Sequence, residues 1–141
     1  IERYLAGTPG ILGMAALDSA LEAFEGVSTE DLRRKSVALT QAFIDTVLEL
    51  NLPDLRLLTP REPEQRGSHV SLAHPHGYAI AQTLIDRGVI VDFRAPDIIR
   101  FGFAPLYNRF MDAGKACQAM AKVVSEKTYL DPRYSQRSKV T

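Results

Sequence analysis

The sequence lacks a second cysteine to pair with Cys117, so no disulfide can form within the chain. A lone cysteine is typical of reducing compartments, which favours a cytoplasmic location. No apolar run is long enough to cross a bilayer, which excludes a membrane span. Because the sequence begins at Ile1, without an initiator methionine or a signal peptide, it is expected to be a fragment or a processed piece.

The chain also lacks an excess of either charge. Seventeen Lys and Arg side chains balance seventeen Asp and Glu side chains, and no basic stripe is visible. Proteins that bind nucleic acids usually carry a basic patch, so neither a nucleic acid nor a membrane is expected as a partner. With 141 residues, 45% of them hydrophobic, the chain is long enough to bury a single core.

Two helix signals open the chain. Thr8 followed by a proline is typical of a helix N-cap, and an apolar pattern continues from there to about Gly26. A second start at Ser28 begins a long amphipathic helix that is expected to run to about Leu50. Residues 1–53 are therefore interpreted as the end of a larger domain followed by connector helices.

The rest of the chain alternates between strand and helix patterns. Strands are predicted at residues 55–58, 68–72, 89–93 and 98–103, and helices at residues 79–87 and 111–126. The connection at residues 94–97 predicts a hairpin. This order favours an α+β fold, an antiparallel sheet of about four strands with helices on one face. Residues 54–128 are expected to form this small domain, and residues 129–141 a polar, disordered tail.

Arg100 is the first candidate for chemistry. Side chains alternate along a strand, so Ile99 and Phe101 share one face, and Arg100 and Gly102 share the other. The small side chains of Gly102 and Ala104 leave space beside a guanidinium that can bind a carboxylate through two hydrogen bonds. The alternative is an exposed arginine paired with a surface acid, which the pattern alone favours.

Thr8 and the histidines each have two interpretations. A helix start at Thr8 can hold a phosphate, although most such threonines are only caps. His69, His74 and His76 lie close together, but no cysteine lies nearby to complete a metal site, so exposed loop histidines are favoured.

Three further side chains are expected to be structural. Asp92 and Asp97 flank the hairpin and are interpreted as caps of its turn rather than as an acid–base pair. Cys117 lies within a helical pattern and is expected to be a small core residue. The sequence shows no Gly-rich nucleotide loop and no Ser-His-Asp arrangement.

Several segments resemble one known family. The tripeptide at residues 7–9, Gly-Thr-Pro, is similar to a turn in the class V branch of fold-type I pyridoxal-phosphate enzymes. Within that branch, residues 32–39, residues 66–72 and, most specifically, residues 87–108 resemble the kynureninases. The resemblance extends from about Tyr4 to Lys127.

The resemblance implies a fold, a reaction and three site residues. The chain would be the C-terminal small domain of a cytoplasmic homodimer in tryptophan catabolism. With pyridoxal 5'-phosphate as cofactor, this enzyme would hydrolyse L-kynurenine to anthranilate and L-alanine. By similarity, Arg100 binds the substrate carboxylate, Gly7 belongs to the substrate pocket, and Thr8 reaches the cofactor phosphate of the neighbouring subunit.

The resemblance also implies what the chain lacks. In this family the cofactor lysine, the aspartate at the pyridine nitrogen and the stacked aromatic belong to a larger N-terminal domain. None of five lysines matches the context of that lysine: Lys35, Lys115, Lys122, Lys127, Lys139. No catalytic residue is therefore expected in this chain, and the isolated chain is predicted not to turn over kynurenine.

Three other functions remain open. A cysteine desulfurase shares the turn and the arginine, but it needs a nucleophilic cysteine on a mobile loop before the arginine's strand. Here that connection is the short hairpin at residues 94–97. A class V aminotransferase requires no residue that this chain excludes. The last alternative is a non-catalytic oligomerisation domain that uses an exposed apolar stripe on the connector helix.

Overall fold

A computed structural model describes Gly7 and residues 10–136. The helices are α1 (Ile11–Leu21), α2 (Thr29–Glu49), α3 (Gly77–Asp86) and α4 (Phe110–Ser125). The strands are β1 (Arg56–Leu57), β2 (His69–Ala73), β3 (Asp92–Arg94) and β4 (Ile98–Gly102). This order of helices and strands confirms the order predicted from the sequence. None of the described helices combines the length and apolar character that a membrane span requires.

Helix α2 begins at a capping serine and buries one stripe. The hydroxyl of Ser28 accepts a hydrogen bond from the backbone N–H of Asp31 at 3.0 Å, which satisfies one donor of the first turn. Leu39, Phe43 and Val47, spaced by one helical turn, are buried on the same side. The predicted start and amphipathic character of this helix are confirmed.

The four strands form one antiparallel sheet in the order β1-β2-β4-β3. Val70 lies opposite Phe101 and Leu72 opposite Ile99, and these four buried side chains share one core with α2, α3 and α4. On the other face, five positions remain at least partly exposed, His69 and Ser71 of β2 and Ile98, Arg100 and Gly102 of β4, whereas Ala73 at the end of β2 is buried. The structure therefore confirms an α+β fold with helices packed on one face of an antiparallel sheet.

Helix α1 is separate from this core. None of its residues is buried, and five apolar side chains are more than half exposed: Ile11, Leu12, Met14, Leu17, Leu21. The prediction that Thr8 caps this helix was wrong, because the helix begins at Ile11 and Gly10 occupies the cap position. Thr8 itself lies outside the described residues. Helix α2 shares its core with the sheet, and the domain boundary after residue 53 stays a prediction.

The C-terminal segment packs on the domain instead of forming a disordered tail from residue 129. Tyr129 and Tyr134 lie on two short 3-10 turns and are each only 8% exposed. The hydroxyl of Tyr134 donates to the carboxylate of Asp86 at 2.6 Å. Burial of two aromatic side chains offsets the entropy cost of ordering this segment. The predicted disorder is therefore wrong for residues 129–136, and residues 137–141 lie outside the described part.

Strand β3 is shorter than predicted and begins three residues later. Gly88 adopts a positive φ of 80°, and the backbone N–H of Val89 then donates to the carbonyl of Leu84 at 2.9 Å. The chain is therefore still bonded to the end of α3 where the sequence predicts a strand. Pairing with β4 starts only when Asp92 lies opposite Arg100.

Candidate functional site

Arg100 lies at the centre of β4 on the face of the sheet opposite the core. Its strand neighbours Ile99 and Phe101 are buried, so alternation turns Arg100 away from the helices. Pairing of the strands places Ser71 on one side of it and Asp92 on the other. The side chain is 34% exposed, so Arg100 is held by its neighbours and still reaches the surface.

Asp92 binds the guanidinium of Arg100 along one edge. Nε of Arg100 donates to Oδ2 of Asp92 at 2.9 Å, and Nη2 donates to the same oxygen. Arg94 contributes a third cationic contact, with its Nη2 3.0 Å from that oxygen. The prediction that Asp92 caps the hairpin turn was therefore wrong, because the register directs its side chain across the sheet to β4. Arg100 is paired with an acid, as the alternative interpretation of its strand position expected.

The pairing sets the electrostatics of this row of side chains. Hydrogen bonds from Arg100 are the largest cause of a lowered pKa of the Asp92 carboxyl, and the charges of Arg100 and Arg94 act in the same direction. Asp92 therefore stays ionised to a lower pH than an ordinary aspartate. Two guanidinium groups and one carboxylate leave one net positive charge, which favours an anionic ligand.

Part of the guanidinium and the space beside it are open. No residue in the described part of the chain bonds to Nη1 of Arg100. A Cβ built on Gly102 would meet no atom within 4 Å, as the sequence pattern predicts. A shallow depression at this end of β4 is lined by residues at the start of β2, at the end of β4 and in the segment after β4: Ser68, His69, Gly102, Phe103, Ala104, Tyr107, Asn108. A small ligand can therefore approach β4 from this face.

Of the other two predicted site residues, only Gly7 is among the described residues. Gly7 is exposed, and none of the described contacts of Arg100 involves it. Thr8 lies outside the described residues. The substrate-binding role of Gly7 and the cofactor-binding role of Thr8 therefore stay predictions.

His74 is buried, contrary to the prediction of an exposed loop histidine. Its Nδ1 accepts a hydrogen bond from the backbone N–H of His76 at 3.0 Å, and its ring packs edge-on against Tyr129 with centroids 5.5 Å apart. Burial lowers the pKa of His74, so the neutral imidazole is favoured. Within the described part of the chain, no three or more His, Cys, Asp or Glu side chains are arranged to hold a metal.

Cys117 is a core residue, as predicted. Its side chain is 1% exposed, with Sγ 3.8 Å from the carbonyl oxygen of Phe43. Burial raises the pKa of the thiol to about 11. A thiol with this pKa is protonated at neutral pH and is a poor nucleophile.

Sequence reasoning missed a buried arginine, Arg66, which is only 7% exposed. Its Nε donates to the hydroxyl of Thr40 at 3.2 Å, its Nη2 to Oε1 of Gln41 at 2.6 Å, and its Nη1 to the carbonyl of Arg61. The described residues provide no carboxylate partner, so neutral acceptors alone satisfy the guanidinium. Arg66 thereby ties the loop before β2 to α2, and a buried arginine of this kind has no periodic signature in the sequence.

Comparisons with known proteins identify relatives along the whole chain. The family model described as kynureninase C-terminal domain matches residues 32–120. A kynureninase of Pseudomonas fluorescens is 46% identical over 142 residues, which cover 100% of this chain and 34% of that protein. A kynureninase of Burkholderia mallei (strain SAVP1) is 42% identical with the same coverage. The chain therefore spans about a third of the length of the curated relatives it matches.

A solved structure supports the architecture. A protein named NifS-like protein superposes on 86% of this chain with a TM-score of 0.65, and 35% of that protein is covered. The two sequences are 17% identical over the superposed part, so the likeness concerns the fold alone. The arrangement of helices on an antiparallel sheet is therefore shared with a longer protein.

Proposed function

The chain belongs to the kynureninase family, and on that premise we propose that it forms the C-terminal part of a pyridoxal-phosphate-dependent hydrolase. The substrate of this enzyme is L-kynurenine, which it converts to anthranilate and L-alanine. The cofactor is held mainly by the part of the protein that precedes this chain. The enzyme is a cytoplasmic homodimer of tryptophan catabolism, and residues 54–128 form its small C-terminal domain.

The observation that carries this proposal is the environment of Arg100. It lies on the open face of the sheet, in a row of side chains with one net positive charge, with its Nη1 unpaired among the described residues. An amino acid substrate offers a carboxylate that fits the open end of a guanidinium through two parallel hydrogen bonds. The open space beside Gly102 leaves room for the rest of the substrate.

Arg100 binds and orients the substrate in this proposal. Pyridoxal phosphate, when bound, supplies the electron sink for the cleavage of a carbon–carbon bond. Arg100 holds the substrate carboxylate and thereby fixes the substituents of Cα relative to the cofactor ring. An arginine stays protonated in proteins, so Arg100 transfers no proton. Thr8 contacts the cofactor phosphate across the dimer, and Gly7 lines the substrate pocket beside it.

Two of the alternative functions lose support. A desulfurase requires a reactive thiolate, whereas Cys117 is the only cysteine of the chain and is buried with a raised pKa. An oligomerisation domain was expected to use an exposed stripe on the connector helix. That stripe, formed on α2 by Leu39, Phe43 and Val47, is buried in the chain's own core.

Replacement of the arginine in the full-length enzyme tests the proposal. Arg100→Ala is expected to raise KM for L-kynurenine about a hundredfold, because a charged hydrogen-bonding partner of the substrate is lost. Arg34→Ala, at an exposed arginine that also pairs with an aspartate, is the matched control and should keep the wild-type kinetics. Unchanged kinetics in a folded Arg100→Ala enzyme would contradict the proposal.

Two further assays test whether the isolated chain is active and which reaction the full-length enzyme catalyses. The isolated chain is expected to produce no anthranilate, and detectable turnover by the pure chain would show that it holds a complete site. The full-length enzyme should hydrolyse L-kynurenine faster than it transaminates alanine with a keto acid. The opposite preference would favour a class V aminotransferase.

A further inference from the structure

We propose that Asp92 is a positioning residue for Arg100, which holds one edge of the guanidinium so that the other edge faces an incoming carboxylate. This inference rests on the proposed role of Arg100 as the substrate-binding arginine. Asp92 itself does not touch the substrate in this arrangement, and it acts only through Arg100.

The geometry of the guanidinium supports this role. An arginine side chain offers two edges on which a carboxylate can form paired hydrogen bonds, one formed by Nε and Nη2 and the other by Nη1 and Nη2. Asp92 occupies the first edge through Oδ2, which lies 2.9 Å from Nε and also bonds Nη2. The second edge ends in Nη1, for which the described part of the chain provides no partner. The substrate carboxylate can therefore bind without displacing Asp92.

The register of the sheet fixes Asp92 in this place. Asp92 on β3 lies directly opposite Arg100 on β4, and Phe93 and Arg94 continue the pairing toward the hairpin. Because Asp92 lies on a hydrogen-bonded strand, its backbone cannot move away from Arg100 without breaking the pairing of β3. From this position, the two hydrogen bonds to Oδ2 of Asp92 orient the guanidinium before any ligand arrives.

Arg94 prevents Asp92 from cancelling the positive charge of the site. Its Nη2 lies 3.0 Å from the same Oδ2 that Arg100 binds, so the negative charge of Asp92 is shared between two cations. Without Arg94, the Asp92–Arg100 pair would be neutral and would attract an anion less strongly. The arrangement of these three residues therefore combines a fixed orientation with a net attraction for a carboxylate.

The expected benefit is a smaller loss of freedom on binding. A strand arginine without a partner samples many rotamers, and immobilising such a side chain at the moment of binding weakens the affinity. Removal of Asp92 is therefore expected to raise KM for L-kynurenine by between about threefold and about tenfold. Because the orientation affects substrate and transition state alike, kcat should change little.

The test compares two ligands in the full-length enzyme. Asp92→Ala and the nearly isosteric Asp92→Asn should both raise KM for L-kynurenine. Both should leave unchanged the affinity for kynurenine amide, an analogue in which a carboxamide replaces the α-carboxylate. If Asp92 had a purely structural role, its replacement would lower the affinity for both ligands equally. Asp45→Asn, at an exposed aspartate of α2 with a single side-chain hydrogen bond to Gln41, serves as the control.

The outcomes separate this inference from the proposed function. If Arg100→Ala raises KM and the Asp92 variants do not, the role of Asp92 is refuted while that of Arg100 stands. If Arg100→Ala has no effect either, the proposed function itself fails. A lower KM in Asp92→Ala would also refute the inference, because it would show that Asp92 competes with the substrate for the guanidinium. Thermal unfolding of each variant identifies loss of folding, and Asp92→Asn decides the case if Asp92→Ala does not fold.

Discussion

Gly77, the first residue of α3, packs directly against the hairpin that carries β3 and β4. A Cβ added to Gly77 would lie 2.3 Å from the carbonyl oxygen of Asp97 and 2.8 Å from its carbonyl carbon. The same carbonyl oxygen accepts a hydrogen bond from the backbone N–H of His74 at 3.1 Å. We therefore predict that Gly77→Ala separates the start of α3 from the hairpin and destabilises the fold.

The size of this destabilisation follows from the distances between Gly77 and Asp97. Real Cβ contacts are essentially never shorter than 3.0 Å, so the two segments must separate by at least 0.7 Å, the difference between 3.0 and 2.3 Å. A shift of that size along the bond stretches the His74–Asp97 hydrogen bond to about 3.8 Å, beyond its normal range. Loss of one hydrogen bond and overpacking together lower the free energy of unfolding by about 2–4 kcal/mol.

Thermal and urea unfolding of the chain measure this loss. The Tm of Gly77→Ala is expected to fall by roughly 5–15 °C. Gly114→Ala is the matched control, since a Cβ on that glycine inside α4 meets no atom within 4 Å. This control should raise the free energy of unfolding by about 0.5–1 kcal/mol, because alanine favours a helix. If Gly77→Ala stays within about 0.5 kcal/mol of wild type, the reasoning is refuted.

Two further predictions concern buried polar groups. Burial lowers the pKa of His74 in the folded chain. The neutral His74 therefore contributes fully to the free energy of unfolding above about pH 6.5, and this contribution is lost as the pH falls, because the unfolded chain binds the proton more readily. His74→Asn keeps an acceptor for the N–H of His76, and urea unfolding should show a smaller loss of stability at acid pH in this variant. The control His69→Asn, at an exposed histidine, should lose as much stability at acid pH as wild type. Equal pH profiles of His74→Asn and wild type would contradict the prediction. Arg66→Lys is expected to lower the free energy of unfolding by about 2–3 kcal/mol, because an ammonium group cannot reach all the acceptors that the guanidinium binds. The corresponding Arg34→Lys on the surface should have almost no effect, and similar losses in the two variants would argue against the buried network.

The strand periodicity explains which features could be predicted from the sequence. In β4, the alternation of buried and open positions follows from local order alone, so the direction of Arg100 and the space beside Gly102 were both predictable. The start of α2 was predictable for a similar reason, since a capping serine acts on a donor three residues away. Signals of this kind need no knowledge of distant residues.

Contacts between distant segments were not predictable. Asp92 was assigned to a turn because its partner depends on the register of β3, and that register depends on where the chain leaves α3. His74 was expected to be exposed because its burial depends on Tyr129, from a segment interpreted as disordered. Arg66 gave no local signal either, since its acceptors Thr40 and Gln41 lie on α2, about 25 positions earlier.

One face of the sheet packs against the helices and the other is open, and this difference determines which positions of β4 tolerate substitution. Ile99 and Phe101 of β4 are constrained by packing in the core, whereas Arg100 and Gly102 lie on the open face of the sheet. Under the proposed role of Arg100, substitutions at Gly102 can therefore change which carboxylate-bearing substrate fits beside the guanidinium without disturbing the core. Laboratory selection for new substrates should accept variation at Gly102 before it accepts any at Phe101.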